Sequence, residues 1–241
     1  MAPGASVTGM DLQLSDRVAL VVGGKGYIGA AVVDRLRAEG AAVVVASRSA
    51  SEDEGVATSS VAMDTADQAS VDAGVAWVLA EHGRIDVLVV TAAPSARTLD
   101  PDKRSDPDQV AQAVDGKALG FLRVANAVLP AQRDAGFGRV VVVSGQNAYL
   151  SGNITASLRN TAVNVIAKNL ADEVAGSGVT VNVVNPGTVT DEPSAEVQRG
   201  AGGESSPTQI ADLVAFLSSP LSAVSGESIS IAHWVLGSVV I

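Results

Sequence analysis

The chain has 241 residues, of which 47% are hydrophobic and 3% aromatic, and its formal net charge is −10. This apolar content supports a sizeable core and excludes a disordered chain, and the absence of cysteine excludes disulfides and thiolate metal ligands. No Lys/Arg cluster stands out and the two histidines are far apart, so we expect no nucleic-acid partner, no anionic-membrane partner and no metal site.

Residues 1–10 contain no basic region followed by an apolar run, so we interpret them as a flexible tail and not as a signal peptide. No uninterrupted apolar stretch reaches the roughly 20 residues of a membrane-spanning helix. The default expectation is therefore a cytoplasmic protein without a membrane partner.

Val-rich segments then alternate with helical patterns. The strong strand candidates are apolar on both faces, as a parallel sheet covered by helices requires. They are 18–24, 41–48, 85–92, 138–145 and 179–187, with weaker candidates at 59–64 and 227–233. Helical patterns fall at about 27–39, 66–82, 107–134, 154–175 and 207–218. The alternation predicts an α/β protein with one Rossmann-like domain over residues 11–241, built on a doubly wound parallel sheet of about seven strands.

One segment, residues 191–207, reads as a loop rich in Gly and Ser between the sixth strand and the last helix. Its position suits a lid over a substrate. The alternative is a disordered surface loop, and the sequence leaves both open.

The clearest motif is "VALVVGGKGYIGAAVV", in which Gly23, Gly26 and Gly29 follow a strand and open a helix. A tight turn needs backbone without Cβ atoms, and a pyrophosphate binds amide N–H groups at a helix N-terminus. A glycine trio alone is weak evidence, but the flanking strand and helix supply the context of a dinucleotide site.

The second strand ends in "ASR", where a carboxylate would be expected to bind a ribose 2′-hydroxyl. Ser47 and Arg48 instead suit a 2′-phosphate, with Lys25 as a second cation, so the sequence favours NADP(H) over NAD(H). The alternative for Arg48 is a solvated surface residue. Asp64, at the end of the third strand, suits an adenine amine or, alternatively, the N-cap of the next helix.

These motifs, together with "GRIDVLVVTAA", "GRVVVVSG", "VTVNVVNPG" and "IADLVAFLSSPLSAVSGESISI", resemble the short-chain dehydrogenase/reductase family from about residue 11 to 236. The resemblance implies further cofactor contacts, at Ile28, Ala92, Pro186 and Gly187. It also places the family's carboxamide-binding Thr on Asp191, or on Thr190 in a shifted register, and a carboxylate there is a departure from the family.

Members of this family use an Asn, a Ser, a Tyr and a Lys for catalysis. The resemblance places the Ser on Gly145, the Tyr on Ala156, the Lys on Asn160 and the Asn on Lys117, so none of the four roles carries its usual residue. No Tyr-x-x-x-Lys occurs anywhere in the chain.

Three other residues are speculative substitutes. Ser144 is one position early, which turns a strand side chain to the opposite face. Tyr149 lies in the adjacent loop, and its alternative role is to cap the edge of the core. Lys117 falls on the apolar face of its predicted helix. It either extends into the volume beside Ala156 and Asn160 as a cation, reaches solvent, or makes a structural hydrogen bond. The remaining lysine of this region, Lys168, lies two helical turns beyond Asn160 and is interpreted as solvated.

Three functions follow as hypotheses. The first is a non-catalytic subunit of a heteromeric oxidoreductase of this family. The chain is expected to form a homo- or hetero-oligomer, with a catalytically intact family member as the possible partner. It would use the two helices through which the family associates, and the apolar segment 234–241 would add a contact or complete the core. The second is an active NADP(H)-dependent oxidoreductase, or a non-redox enzyme, that uses Lys117 and Tyr149. The third is an NADP(H)-sensing protein without activity.

Overall fold

The computed structural model describes residues 10–48, 59–94 and 98–238. The predicted tail (1–10) lies almost wholly outside these ranges, as does the end of the apolar C-terminal segment. The strands are β1 Val18–Val22, β2 Ala42–Ser47, β3 Ser60–Ala62, β4 Val87–Val90, β5 Gly138–Val143, β6 Val179–Pro186, β7 Thr188–Val189, β8 Glu204–Ser205 and β9 Ser228–Ile231. The helices are α1 Tyr27–Ala38, α2 Gln68–His82, α3 Pro107–Val114, α4 Gly120–Ala135, α5 Ile154–Glu173 and α6 Pro207–Ser218.

The central sheet has seven parallel strands in the order β3-β2-β1-β4-β5-β6-β9, which confirms the predicted doubly wound fold. The chain moves outward from β1 in one direction through β2 and β3, and in the other through β4, β5 and β6. The direction changes between β1 and β4, and ligands of such sheets bind beyond the carboxyl ends of the strands at this crevice.

Consecutive strand residues point to opposite faces of the sheet, and helices cover both faces, so both faces are buried. Leu20 of β1 belongs to a core cluster with side chains of α2, α4 and α5, whereas Val21 belongs to a second cluster with side chains of α1 and α6. This arrangement explains why the strong strand segments are apolar throughout.

The predicted helix 107–134 is interrupted. A π-helical turn, Asp115–Leu119, separates α3 from α4, and Lys117 lies within it. The prediction of one uninterrupted helix is therefore wrong at this π turn, which inserts an extra residue. Lys117, Phe121 and Val128 are nevertheless all buried, as expected for residues of one apolar face. Gly116 lets this turn pass close to residue 94, since a Cβ there would lie 2.8 Å from Cγ of Pro94.

The segment 191–207 is anchored to the C-terminal part of the chain. Gly203 N–H donates to the carbonyl of His233, and Gly200 N–H donates to the carbonyl of Leu236. The segment also contains β8, which pairs with β7. These backbone hydrogen bonds give the segment a defined position beside the carboxyl ends of β5 and β6, and a role as a lid stays a prediction.

None of the helices in the described ranges combines the length and the apolar character needed to cross a membrane.

Candidate functional site

A cavity of about 380 Å³ opens beyond the carboxyl ends of β5 and β6. Its walls come from the π turn, the loop after β5, the first turns of α5, the Pro-Gly at the end of β6 and the segment 191–207. The residues with polar side chains in its lining are Lys117, Ser144, Gln146, Asn147, Arg159, Asn160 and Thr188. Ala156 and Gly145 also line it, so the fold brings all four positions implied by the family resemblance to one place.

Lys117 is the central cation of this cavity, with 7% of its surface exposed. Its ammonium donates to Oδ1 of Asn160 at 2.7 Å and to the carbonyl oxygen of Ser144 at 3.0 Å. Burial, with a smaller contribution from the charge of Arg159, lowers the pKa of Lys117 from 10.5 to about 7. The side chain reaches the volume beside Ala156 and Asn160 and makes structural hydrogen bonds there, so extension to solvent is the one expected alternative that the structure does not show.

Ser144 uses its hydroxyl within the protein. Oγ lies 3.1 Å from the carbonyl oxygen of Asn160 and 3.3 Å from Oδ1 of the same residue, which matches the expected strand-end hydroxyl bonded to backbone. The next residue, Gly145, has room for a side chain, because a Cβ there would lie 3.5 Å from Oδ1 of Asn160, an ordinary contact. The fold therefore has space for a serine at position 145, and the sequence does not supply it.

Tyr149 does not line the cavity. Its hydroxyl lies 3.3 Å from Nδ2 of Asn185 and 3.4 Å from Nδ2 of Asn164, and its ring packs edge-on against Trp234 at 5.7 Å. Burial raises the pKa of this hydroxyl. The structure therefore places Tyr149 at the core edge, and its speculative catalytic role finds no geometric support. Lys168, as expected, is exposed and bonded to Asp172.

Arg159 was missed by the sequence analysis. It lines the cavity with only 5% of its surface exposed, and Nη2 donates to the carbonyl oxygen of Pro94 at 3.1 Å. Burial lowers its pKa. The signal was available in the spacing, because residues 156, 159 and 160 share one face of a helix. An arginine on the same helix face as positions 156 and 160 indicated a second cation in the cavity.

The glycine-rich turn at the start of α1 has the geometry of a phosphate site. Gly23 has φ +88°, and a Cβ there would lie 2.6 Å from the backbone nitrogen of Ala92. Gly29 packs still closer, since its Cβ would lie 2.1 Å from the carbonyl oxygen of Gly23. Gly26 is the N-cap of α1, and no side chain caps the helix there. The N–H groups of the first turn can therefore bind a pyrophosphate, so these residues fit a dinucleotide.

The other predicted cofactor residues lie around this turn. Ser47 ends β2 and is half-buried, Arg48 and Lys25 are exposed, and Ala92 N–H donates to the carbonyl of Val22. Ile28, Pro186 and Gly187 line the cavity itself. The N-cap alternative for Asp64 is wrong by three residues: Asp67 caps α2, whereas Oδ1 of Asp64 accepts from the N–H of Ala66 in a local turn.

A hydrogen bond links the glycine-rich turn to the segment after β7. The hydroxyl of Tyr27, the first residue of α1, donates to Oδ1 of Asp191 at 2.5 Å. The carboxylate is therefore fixed close to the helix N-terminus, a position that favours negative charge.

Within the described ranges, no three His, Asp or Glu side chains converge to hold a metal ion. The cavity lining contains two buried cations and several amides, but no carboxylate and no phenol among the described residues.

Comparison with known proteins identifies the class. The family model for short chain dehydrogenases matches residues 17–201, and the chain belongs to this family. It is 33% identical over 231 residues to (2S)-[(R)-hydroxy(phenyl)methyl]succinyl-CoA dehydrogenase subunit BbsC of Thauera aromatica, covering 88% of this chain and 92% of the relative. It is 31% identical over 235 residues to acetoacetyl-CoA reductase of Shinella zoogloeoides, covering 89% and 96%. The crystal structure of gox2181 superposes with a TM-score of 0.78 at 25% identity, covering 92% of this chain and 96% of that one.

Proposed function

We propose that this chain is a non-catalytic subunit of a hetero-oligomeric short-chain dehydrogenase/reductase. The observation that carries the proposal is the pairing of Lys117 with Asn160 inside the cavity. Asn160 stands where the family resemblance places the catalytic lysine, and its amide oxygen holds the ammonium of Lys117. The tyrosine position is Ala156, and Tyr149 points elsewhere, so no phenol is available to pass a proton to a substrate carbonyl.

The surface of α5 supports the subunit role. Ile154, Leu158 and Val165 are 51%, 47% and 55% exposed, and their spacing places them on one side of the helix. Leu119, next to α4, adds a further exposed apolar side chain. Family members associate through these two helices, and the relative BbsC is named as a subunit. The described part of the C-terminal segment instead completes the core, since Val235 is buried and Trp234 packs on Tyr149.

The interface is tested with the double variant Leu158→Glu/Val165→Glu. The proposal predicts that a family member with the Ser, Tyr and Lys residues is encoded beside this chain, and that the two chains co-purify as one complex when they are produced together. The variant is expected to lose this complex in sedimentation experiments, because two buried carboxylates at an apolar contact cost several kcal/mol. Trp77→Glu, which changes an exposed apolar side chain of α2, is the matched control and should leave the complex intact.

Turnover separates this proposal from a second candidate, an enzyme that uses Lys117 as its acid. The lowered pKa of Lys117, about 7, is the observation that favours the second candidate. In the first case the isolated chain does not oxidise NADPH with acetoacetyl-CoA, and the complex does. Turnover by the isolated chain that is lost in Lys117→Met would assign the activity to Lys117 and contradict the subunit proposal.

We also propose NADP(H) as the nucleotide, held by the glycine-rich turn and by Ser47, Arg48 and Lys25. Asp191 opposes it electrostatically. Asp191→Asn keeps an acceptor for Tyr27 and removes the charge, so we expect NADPH to bind about three- to fivefold more tightly in a fluorescence titration, in keeping with ~1 kcal/mol for a charge at a helix terminus.

Asp172→Asn is the control for this titration, because it removes an exposed carboxylate of α5 that pairs with Lys168. It should leave the NADPH affinity unchanged, whereas Arg48→Ala should weaken it. Equal NADPH affinities in the wild type and in Asp191→Asn would contradict a repulsion between the Asp191 carboxylate and the nucleotide. NADPH binding by a chain that shows neither turnover nor a partner would favour the NADP(H)-sensing hypothesis.

A further inference from the structure

Two buried cations face the cavity without a counter-charge. Lys117 and Arg159 are 7% and 5% exposed, and no residue that lines the cavity among those described is acidic. None of the ion pairs found within the described ranges includes either side chain. Two like charges out of water repel each other and lose hydration, so an anion between them would remove a cost that the protein otherwise bears.

The guanidinium of Arg159 has a hydrogen-bond donor that is not used. Nη2 donates to the carbonyl of Pro94, but Nη1 is buried and has no hydrogen-bond partner within the described part of the chain. Buried donors in native proteins are nearly always bonded, and an orphaned one points to a missing ion, water or ligand. Guanidinium N–H groups are suited to the oxygens of carboxylates and phosphates.

The ammonium of Lys117 can also donate a further hydrogen bond. The bonds to Ser144 and Asn160 use two of its three ammonium protons. The charge of Arg159 contributes to the lowered pKa of Lys117, so a bound anion would act in the opposite direction and favour the charged ammonium.

The rest of the cavity wall is neutral. Ile28, Leu150 and Val189 supply aliphatic surface, and Gln146 and Asn147 supply amides. A volume of about 380 Å³ suits a small molecule with a short apolar body. We propose that the cavity binds a small organic acid, whose carboxylate sits between Lys117 and Arg159 and whose apolar part contacts the aliphatic wall. This site goes beyond the proposed subunit role and does not depend on a partner chain.

Calorimetric titration of the isolated full chain with butyrate, butyramide and inorganic phosphate tests the proposal. Butyrate is expected to bind, and its neutral isostere butyramide is expected to bind at least about tenfold more weakly, because it lacks the charge. Arg159→Gln and Lys117→Met should each weaken butyrate binding by about tenfold or more. Lys168→Met, which removes an exposed cation of α5, should bind butyrate as the wild type does.

A second measurement needs no variant that risks the fold. The pKa of Lys117, followed through the ¹³Cε NMR signal of labelled lysine in the wild type, is expected to rise when butyrate is added and to stay constant with butyramide. A purely structural lysine would show no such change. The proposal is overturned if butyrate fails to bind or leaves this pKa unchanged, if butyramide binds equally well, or if phosphate binds as tightly as butyrate, since then the apolar wall contributes nothing.

Discussion

Between pH 7 and pH 9.5 the wild-type protein is expected to gain about 3 kcal/mol of stability relative to Lys117→Met. The pKa of Lys117 is about 7 in the folded protein and 10.5 in a free lysine. Across the interval between these values the unfolded chain binds the proton and the folded chain does not, so stability rises with pH. Below pH 7 both states are protonated, and the contribution of this lysine is at its least favourable.

The measurement is urea unfolding at several pH values. The difference between the two proteins isolates Lys117, because all other titrating groups are shared. Lys168→Met is the control, since it removes an exposed lysine bonded to Asp172, and it should keep the wild-type slope. If the free energy of unfolding of Lys117→Met rises with pH as steeply as that of the wild type, Lys117 stays charged in the folded cavity. It would then have no lowered pKa to support a role as an acid.

The second large effect is expected at the glycine-rich turn, where Gly29→Ala should lower the free energy of unfolding by about 3 kcal/mol. The new Cβ would lie 2.1 Å from the carbonyl oxygen of Gly23, which is backbone and cannot rotate away. Helix α1 would have to move away from the end of β1. Its apolar side chains would then pack less well in the layer that they share with α6.

Gly26→Ala is the matched control in the same motif. Its Cβ would meet nothing closer than 3.2 Å, and its φ of −78° suits any residue, so we expect a loss below about 1 kcal/mol. The variant should still weaken NADPH binding, because the added methyl lies beside the helix N-terminus. Equal losses of stability in the two variants would contradict this division between a packing glycine and a ligand-facing glycine.

The glycine-rich motif predicts the turn correctly, but the presence of its glycines does not by itself establish that a nucleotide binds there. Gly23 and Gly29 are explained by the protein's own close contacts, with Ala92 and with each other. Gly26 is the position whose lack of a side chain leaves room for a ligand. The glycine spacing therefore predicts the strand-turn-helix reliably, and the bound nucleotide less directly.

The fold was predictable because it depends on local patterns. Continuous Val-rich strands require cover on both faces, and their alternation with amphipathic helices admits few arrangements other than a doubly wound sheet. The interruption of helix 107–134 was not predictable from the apolar periodicity. At the π turn, Asp115–Leu119, Gly116 packs against Pro94, a contact between residues that are apart in the sequence.

By itself, the sequence determined the fold class, the glycine-rich turn and the absence of a Tyr-x-x-x-Lys pair. Only the tertiary structure decided which side chains meet inside the cavity. Lys117 meets Asn160 across 43 residues of sequence, and Tyr27 meets Asp191 across 164. Such contacts depend on the packing of helices and loops around the sheet, and no local periodicity encodes them. For the same reason Arg159, an ordinary helical arginine in the sequence, is a buried cation with an unpaired donor in the folded protein.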